Sequence, residues 1–74
     1  MTNLQKIRKS RNISQSELAR AAKINIRTLQ HYEQGAKLVD NAHFSTIIKL
    51  CIALNCNIED ILENHKILDN YYGQ

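Results

Sequence analysis

The 74-residue chain has no proline and only two glycines, Gly35 and Gly73. Strands joined by tight turns need that punctuation, so its near absence predicts an all-α domain of helices joined by short caps. No apolar run approaches the roughly 18 residues that cross a bilayer, and no membrane segment is expected. The two cysteines, Cys51 and Cys56, form no C-x-x-C pair, and His31, His43 and His65 form no H-x-x-x-H pair. No metal and no other cofactor is therefore expected. No secretory leader is read, so the thiols are expected to be reduced in a cytoplasm. A chain this short supports one small core, and it carries no acid–base or nucleophile constellation. The expectation is a non-enzymatic binding domain.

Charge, by contrast, is plentiful and unevenly placed. The formal charge is +3. Residues 1–37 hold eight Lys or Arg against Glu17 and Glu33, a net of +6, while residues 38–74 hold two Lys against five Asp or Glu, a net of −3. A basic first half suits a polyanionic partner.

Apolar spacing and capping residues divide the chain into five short helices. The first runs from about Thr2 to Arg11, with Leu4 and Ile7 inward. Ser14 and Glu17 match the S-x-x-E capping box and open the second, whose apolar strip is Leu18, Ala19 and Ala22. After the turn Ala22-Lys23-Ile24, Asn25 is the expected N-cap of the third helix, and Gly35 its end. Asp40 or Asn41 is expected to cap a fourth helix that finishes near Leu54. Its apolar residues Phe44, Ile47, Ile48, Leu50, Cys51, Ile52 and Leu54 cover more than one face, which implies central burial or a second contact surface. Asn55 suits a left-handed cap, and Asn57 with Asp60 opens a fifth helix. The domain is expected over residues 1–64, with 65–74 as a C-terminal tail.

The stretch INIRTLQHYEQG carries the functional signal. As a helix it places Ile26, Arg27, Gln30, His31 and Gln34 on one face, opposite Leu29 and Tyr32. A face that mixes an aliphatic, a guanidinium, amides and an imidazole suits the major groove of DNA, which is about 12 Å wide and admits one helix. Arg27 can donate to guanine O6 and N7 together. Ile26 or Thr28 can meet a thymine methyl, and Gln30 or His31 can read a further base or a phosphate.

At these residues the sequence resembles the Cro and phage-repressor (Xre-type) helix-turn-helix family. Three stretches carry the likeness: S-Q-S-E-L-A at 14–19, the I-x-x-x-x-L-x-x-Y-E-x-G frame from Ile24 to Gly35, and K-L-C-I-A-L-N-C-N-I-E-D-I-L at 49–62. The resemblance implies a lambda-repressor-like fold with its helix-turn-helix at helices two and three, and double-stranded DNA as partner. It implies that Ile26, Arg27 and His31 read bases, with Thr28 and Gln30 beside them. Gln15 matches a glutamine that touches phosphate and supports a recognition-helix side chain, and Ser14 caps a helix whose N-terminus faces phosphate. Arg8 aligns with a family ion pair to Glu33 and, with Arg11, is expected near the DNA backbone. Lys37 falls where the family presents basic groups to phosphate. Two departures stand out: Lys23 replaces the usual turn glycine, and the connection after Gly35 is longer than the family's.

Ile48 and Ile52, with Leu68, Tyr71 and Tyr72 of the tail, are expected to form one apolar patch, the mark of a partner surface. Homodimerisation there would present two recognition helices about 34 Å apart to a palindromic operator. The expected function is a sequence-specific transcriptional regulator, a repressor acting by occlusion. The alternative is an antitoxin-like module that binds a partner toxin and autoregulates its operon.

Overall fold

The computed structural model describes residues 1–63, and the expectations for the 65–74 tail, Leu68, Tyr71 and Tyr72 included, lie outside the described residues. The described chain is all-helical. It comprises α1 (Asn3–Ser10), α2 (Gln15–Ala22), α3 (Ile26–Gln34), a 3-10 turn at Val39–Asn41, α4 (Phe44–Leu54) and α5 (Ile58–Ile61).

Polar side chains start α1, α2, α3 and α5. Thr2 Oγ1 accepts the Gln5 N–H at 3.3 Å. Ser14 and Glu17 exchange reciprocal side-chain-to-backbone bonds, both at 3.1 Å. Asn25 Oδ1 accepts the Arg27 N–H at 2.8 Å, and the Asp60 carboxylate accepts the Asn57 N–H at 2.9 Å. Each satisfies an N–H that the helix leaves without an internal acceptor.

Left-handed residues end the first four helices. Asn12 (φ 59°), Lys23 (φ 55°), Gly35 (φ 81°) and Asn55 (φ 53°) follow α1, α2, α3 and α4 in turn. Three of the four chain reversals therefore use a side-chain-bearing residue where glycine is the easier choice.

The expected start of α4 needs correction. Asp40 and Asn41 do not cap it; both belong to the 3-10 turn, and α4 begins at Phe44 after His43. The cause is tertiary. Val39 is buried in the core and pins the turn there, and the Ala42 N–H closes onto the Val39 carbonyl at 2.9 Å. The Asp40 carboxylate instead accepts the Glu63 N–H at 2.8 Å.

The core gathers Leu4, Leu18, Leu29, Val39, Leu50, Leu54 and Ile61, all essentially inaccessible to solvent. Helix α2 packs on α3 and α4, while α1 packs on α3 and α5. The two ends of the described chain meet: Asn3 Nδ2 donates to the Leu62 carbonyl at 2.8 Å, and the Asn3 N–H donates to the Glu63 carboxylate. Burying one such leucine stabilises by about 1.5–3 kcal/mol, so a few of them decide whether a domain this small folds.

Candidate nucleic-acid interface

Helix α2 ends in two backbone bonds that reverse the chain within three residues. The Ile24 N–H donates to the Ala19 carbonyl at 3.0 Å and the Lys23 N–H to the Arg20 carbonyl at 3.2 Å. With Lys23 left-handed between them, this is a Schellman turn. Ile24 then packs against the core, and α3 packs against α2. Leu29 and Glu33 are buried and Tyr32 packs on the core, which turns the opposite side of α3 outward. Ile26 is 39% exposed, Arg27 and Gln34 are exposed, and Thr28, Gln30 and His31 are half-buried. The residues expected to read bases thus share the outer side of one short helix, with Thr28 at its flank.

Behind that face lies a connected polar network. Arg8 of α1 and Glu33 of α3 are both buried and form an ion pair, Nε to Oε2, at 2.7 Å. A second Arg8 nitrogen donates to the Ile13 carbonyl at 2.8 Å. The other Glu33 oxygen accepts Gln15 Nε2 at 3.1 Å, and Gln15 Oε1 faces Gln30 Nε2 at 3.5 Å. Thr2 Oγ1 donates to the Glu33 carbonyl at 3.0 Å. One buried carboxylate therefore ties α1, the first turn of α2 and the recognition face of α3 together. The family pair of Arg8 with Glu33, and support of a recognition-helix side chain by Gln15, were legible from the resemblance, but the link from Glu33 to Gln15 was not, because amide partners leave no spacing signature.

The expected phosphate contacts are placed unequally. Ser14 is exposed at the N-terminus of α2, and Gln15 is half-buried within the network just described. Lys37 is exposed, and its N–H donates to the His31 carbonyl at 3.3 Å, which folds the segment after Gly35 back along the end of α3. Arg8 makes the expected pair with Glu33, and the guanidinium groups of both Arg8 and Arg11 are engaged within the domain. The Arg8 guanidinium is buried against Glu33 and Ile13, and Arg11 donates to the Leu54 carbonyl at 2.9 Å and the Asn55 carbonyl at 3.3 Å. Their charges answer a buried carboxylate and the C-terminal carbonyls of α4, where cations are favoured. Neither is carried into the DNA-facing set.

On the far side, Ile52 is 75% exposed and Ile48 is half-buried. Phe44, 69% exposed, extends the same stripe, since residues four apart share a helix face. Sequence reasoning grouped Phe44 with the other apolar residues of α4. Its spacing from Ile48 and Ile52 was the signal that would have separated it.

Among the described residues no three His, Cys, Asp or Glu side chains form a metal-binding group, and no helix is long and apolar enough to cross a membrane. A search of curated proteins returns no match to the chain. Over residues 3–65, however, the sequence matches Cro/C1-type HTH DNA-binding domains. That span takes in the capping box of α2, the left-handed turn, the outward face of α3 and the closing α4–α5 pair, and the chain belongs to the Cro/C1-type HTH DNA-binding domain family.

Proposed function

We propose that the protein is a sequence-specific transcriptional regulator that lays α3 in the major groove and represses by occluding a promoter. The observation that carries this reading is the exposed Ile26–Arg27 end of α3, backed by the buried Arg8–Glu33–Gln15 network. A helix meant for a groove needs its N-terminal residues outward and its axis fixed. Arg27, Ile26, Thr28, Gln30 and His31 would specify sequence, and Gln15, Ser14 and Lys37 would set register on phosphates. Nothing in this reading calls for catalysis.

The test is selection from a random duplex library at about 150 mM salt, where purely electrostatic binding is suppressed. Wild type should enrich one motif, and Arg27→Ala should lose about 1–3 kcal/mol on it with little loss on random DNA. Equal losses on both would remove Arg27 from the base readers.

The dimeric form of the reading rests on the α4 stripe. Enrichment of an inverted repeat with half-sites one helical turn apart would support it, and a single half-site would refute it. The same exposed stripe favours the second reading, an antitoxin-like module with a partner toxin seated on Phe44, Ile48 and Ile52. Ile52→Glu separates the two: a regulator that dimerises there loses affinity for the full operator, whereas a toxin-binding module loses only its partner.

A further inference from the structure

The end of α4 repeats the Schellman turn that ends α2, with different side chains. The Cys56 N–H donates to the Cys51 carbonyl at 3.1 Å and the Asn55 N–H to the Ile52 carbonyl at 3.3 Å, around the left-handed Asn55. This motif brings the side chains on either side of the turn into apolar contact. In α2 those positions are Ala19 and Ile24; in α4 they are Cys51 and Cys56. The packing role is thus met elsewhere by plain aliphatic residues, and the second turn pairs two thiols instead. A direct backbone bond between the two residues also holds their α-carbons at the order of separation, about 4.4–6.8 Å, that a disulfide bridges.

The surroundings divide the pair. Cys51 is buried, while Cys56 is half-exposed, and both border a shallow cavity of about 410 Å³ with Ile48, Ile52 and Ile58. Arg11, held on the Leu54 and Asn55 carbonyls, sets its positive charge beside Cys56. Burial pushes the Cys51 thiol up to about 12, and its interaction with Cys56 pushes the same way. Cys56 is also raised, chiefly by burial and further by the Asp60 charge, while the Cys51 hydrogen bond and Arg11 pull the other way. Cys56 is the more exposed of the two and the one a small reagent can reach.

We propose that Cys51 and Cys56 are a reversible dithiol–disulfide site, closed by an oxidant of the peroxide class into an intramolecular bridge across the α4–α5 turn. The Cys56 thiolate attacks the peroxide; its S–O bond forms as the O–O bond breaks, and the released hydroxide takes up a proton to leave as water. The Cys51 sulfur then attacks the Cys56 sulfenic acid. The S–S bond forms, the S–O bond breaks, and the Cys51 proton leaves with the departing oxygen as a second water. Two thiols give up two electrons in total, and one peroxide is reduced to two waters. The bridge needs no movement of α3, and it borders Ile48 and Ile52 of the stripe.

The test is exposure of the full chain to hydrogen peroxide, followed by intact mass, iodoacetamide alkylation and non-reducing electrophoresis. The expected product is a monomeric chain lighter by two hydrogen atoms, with both thiols protected and both restored by dithiothreitol. Cys51→Ser should stop at a sulfenic acid on Cys56 that a dimedone probe traps. Thiols that stay alkylatable while free glutathione in the same tube is fully oxidised would overturn the proposal. So would a bridge formed only between two chains, or one formed only in urea, where the turn is absent.

Discussion

Glu33 occupies a position that a carboxylate rarely holds. It is 2% exposed, yet every oxygen has a partner: Arg8 on one side of the carboxylate, Gln15 on the other, Thr2 on its carbonyl. Burying an ion pair is tolerable only with such full satisfaction, and removing one member leaves the other charge stranded. Glu33→Ala and Arg8→Ala should each lower stability by about 3–5 kcal/mol, read from urea unfolding. The double variant should lose much less than the two added together. A loss under about 1 kcal/mol in Glu33→Ala would mean that water reaches the site and the network is not buried in solution. Cys51 supplies a second residue-scale expectation. Its thiol pKa is raised by burial from 9.0 to about 12, so the folded chain holds a proton that the unfolded chain releases. The stabilisation is complete below about pH 9 and is lost as pH climbs toward 12. Thermal melts between pH 8 and 11 should fall more steeply for wild type than for Cys51→Ala, and parallel slopes would contradict the assignment.

Helix ends govern the element scale. Lys23 adopts φ 55° and ψ 45° to close α2, a conformation that costs a side-chain-bearing residue on the order of 1–2 kcal/mol. Lys23→Gly removes that strain, and the flexibility glycine adds to the unfolded chain offsets part of the gain. The expected result is a melting temperature a few degrees higher, with sequence preference on DNA unchanged. A lower melting temperature would show that the lysine side chain stabilises the turn in a way its exposed position does not reveal. Ser14→Ala should act oppositely, losing about 1 kcal/mol with the capping box. Because α2 presents its N-terminus beside α3, the fraying it causes should also weaken DNA binding in a gel-shift titration.

Across the whole molecule, charge and apolar surface are sorted to different places. The net +6 of residues 1–37 belongs to the α1–α3 half, and the exposed Phe44–Ile48–Ile52 stripe lies on α4. Affinity for DNA should therefore fall steeply with salt, and Lys37→Ala should reduce the slope of log K against log salt by about 1 if it neutralises one phosphate. An unchanged slope would take Lys37 off the backbone. At the other end, Ile52→Glu should move the sedimentation coefficient toward that of a monomer at micromolar protein. A wild type that is already monomeric there, with or without operator, would end the dimer reading.

Much of this was written in the sequence, because the signals are local. Capping boxes, N-cap asparagines, the αL propensities of Gly35 and Asn55, and the 3.6-residue period of α3 act within one or two turns of chain, so residue order alone determines them. The helix-turn-helix and its outward residues followed from those signals together. Partners distant in sequence were another matter. Arg8 meets Glu33 across 25 residues, a pair that only the resemblance to the family gave, and Arg11, though still exposed, meets the Leu54 carbonyl across 43, a contact that no local signal gave. Val39 decided where α4 begins by entering the core, and packing of α2 on α4 left Phe44 outside while Leu50 went in. Spacing alone did not predict that Cys51 and Cys56 would meet, although the left-handed Asn55 between them was expected, because that also needed the Cys56 N–H to close onto the Cys51 carbonyl. A short-range preference is a property of the chain. Which long side chain finds which acceptor, and which apolar face stays in water, is settled only when the helices close on one another and compete for a single small core.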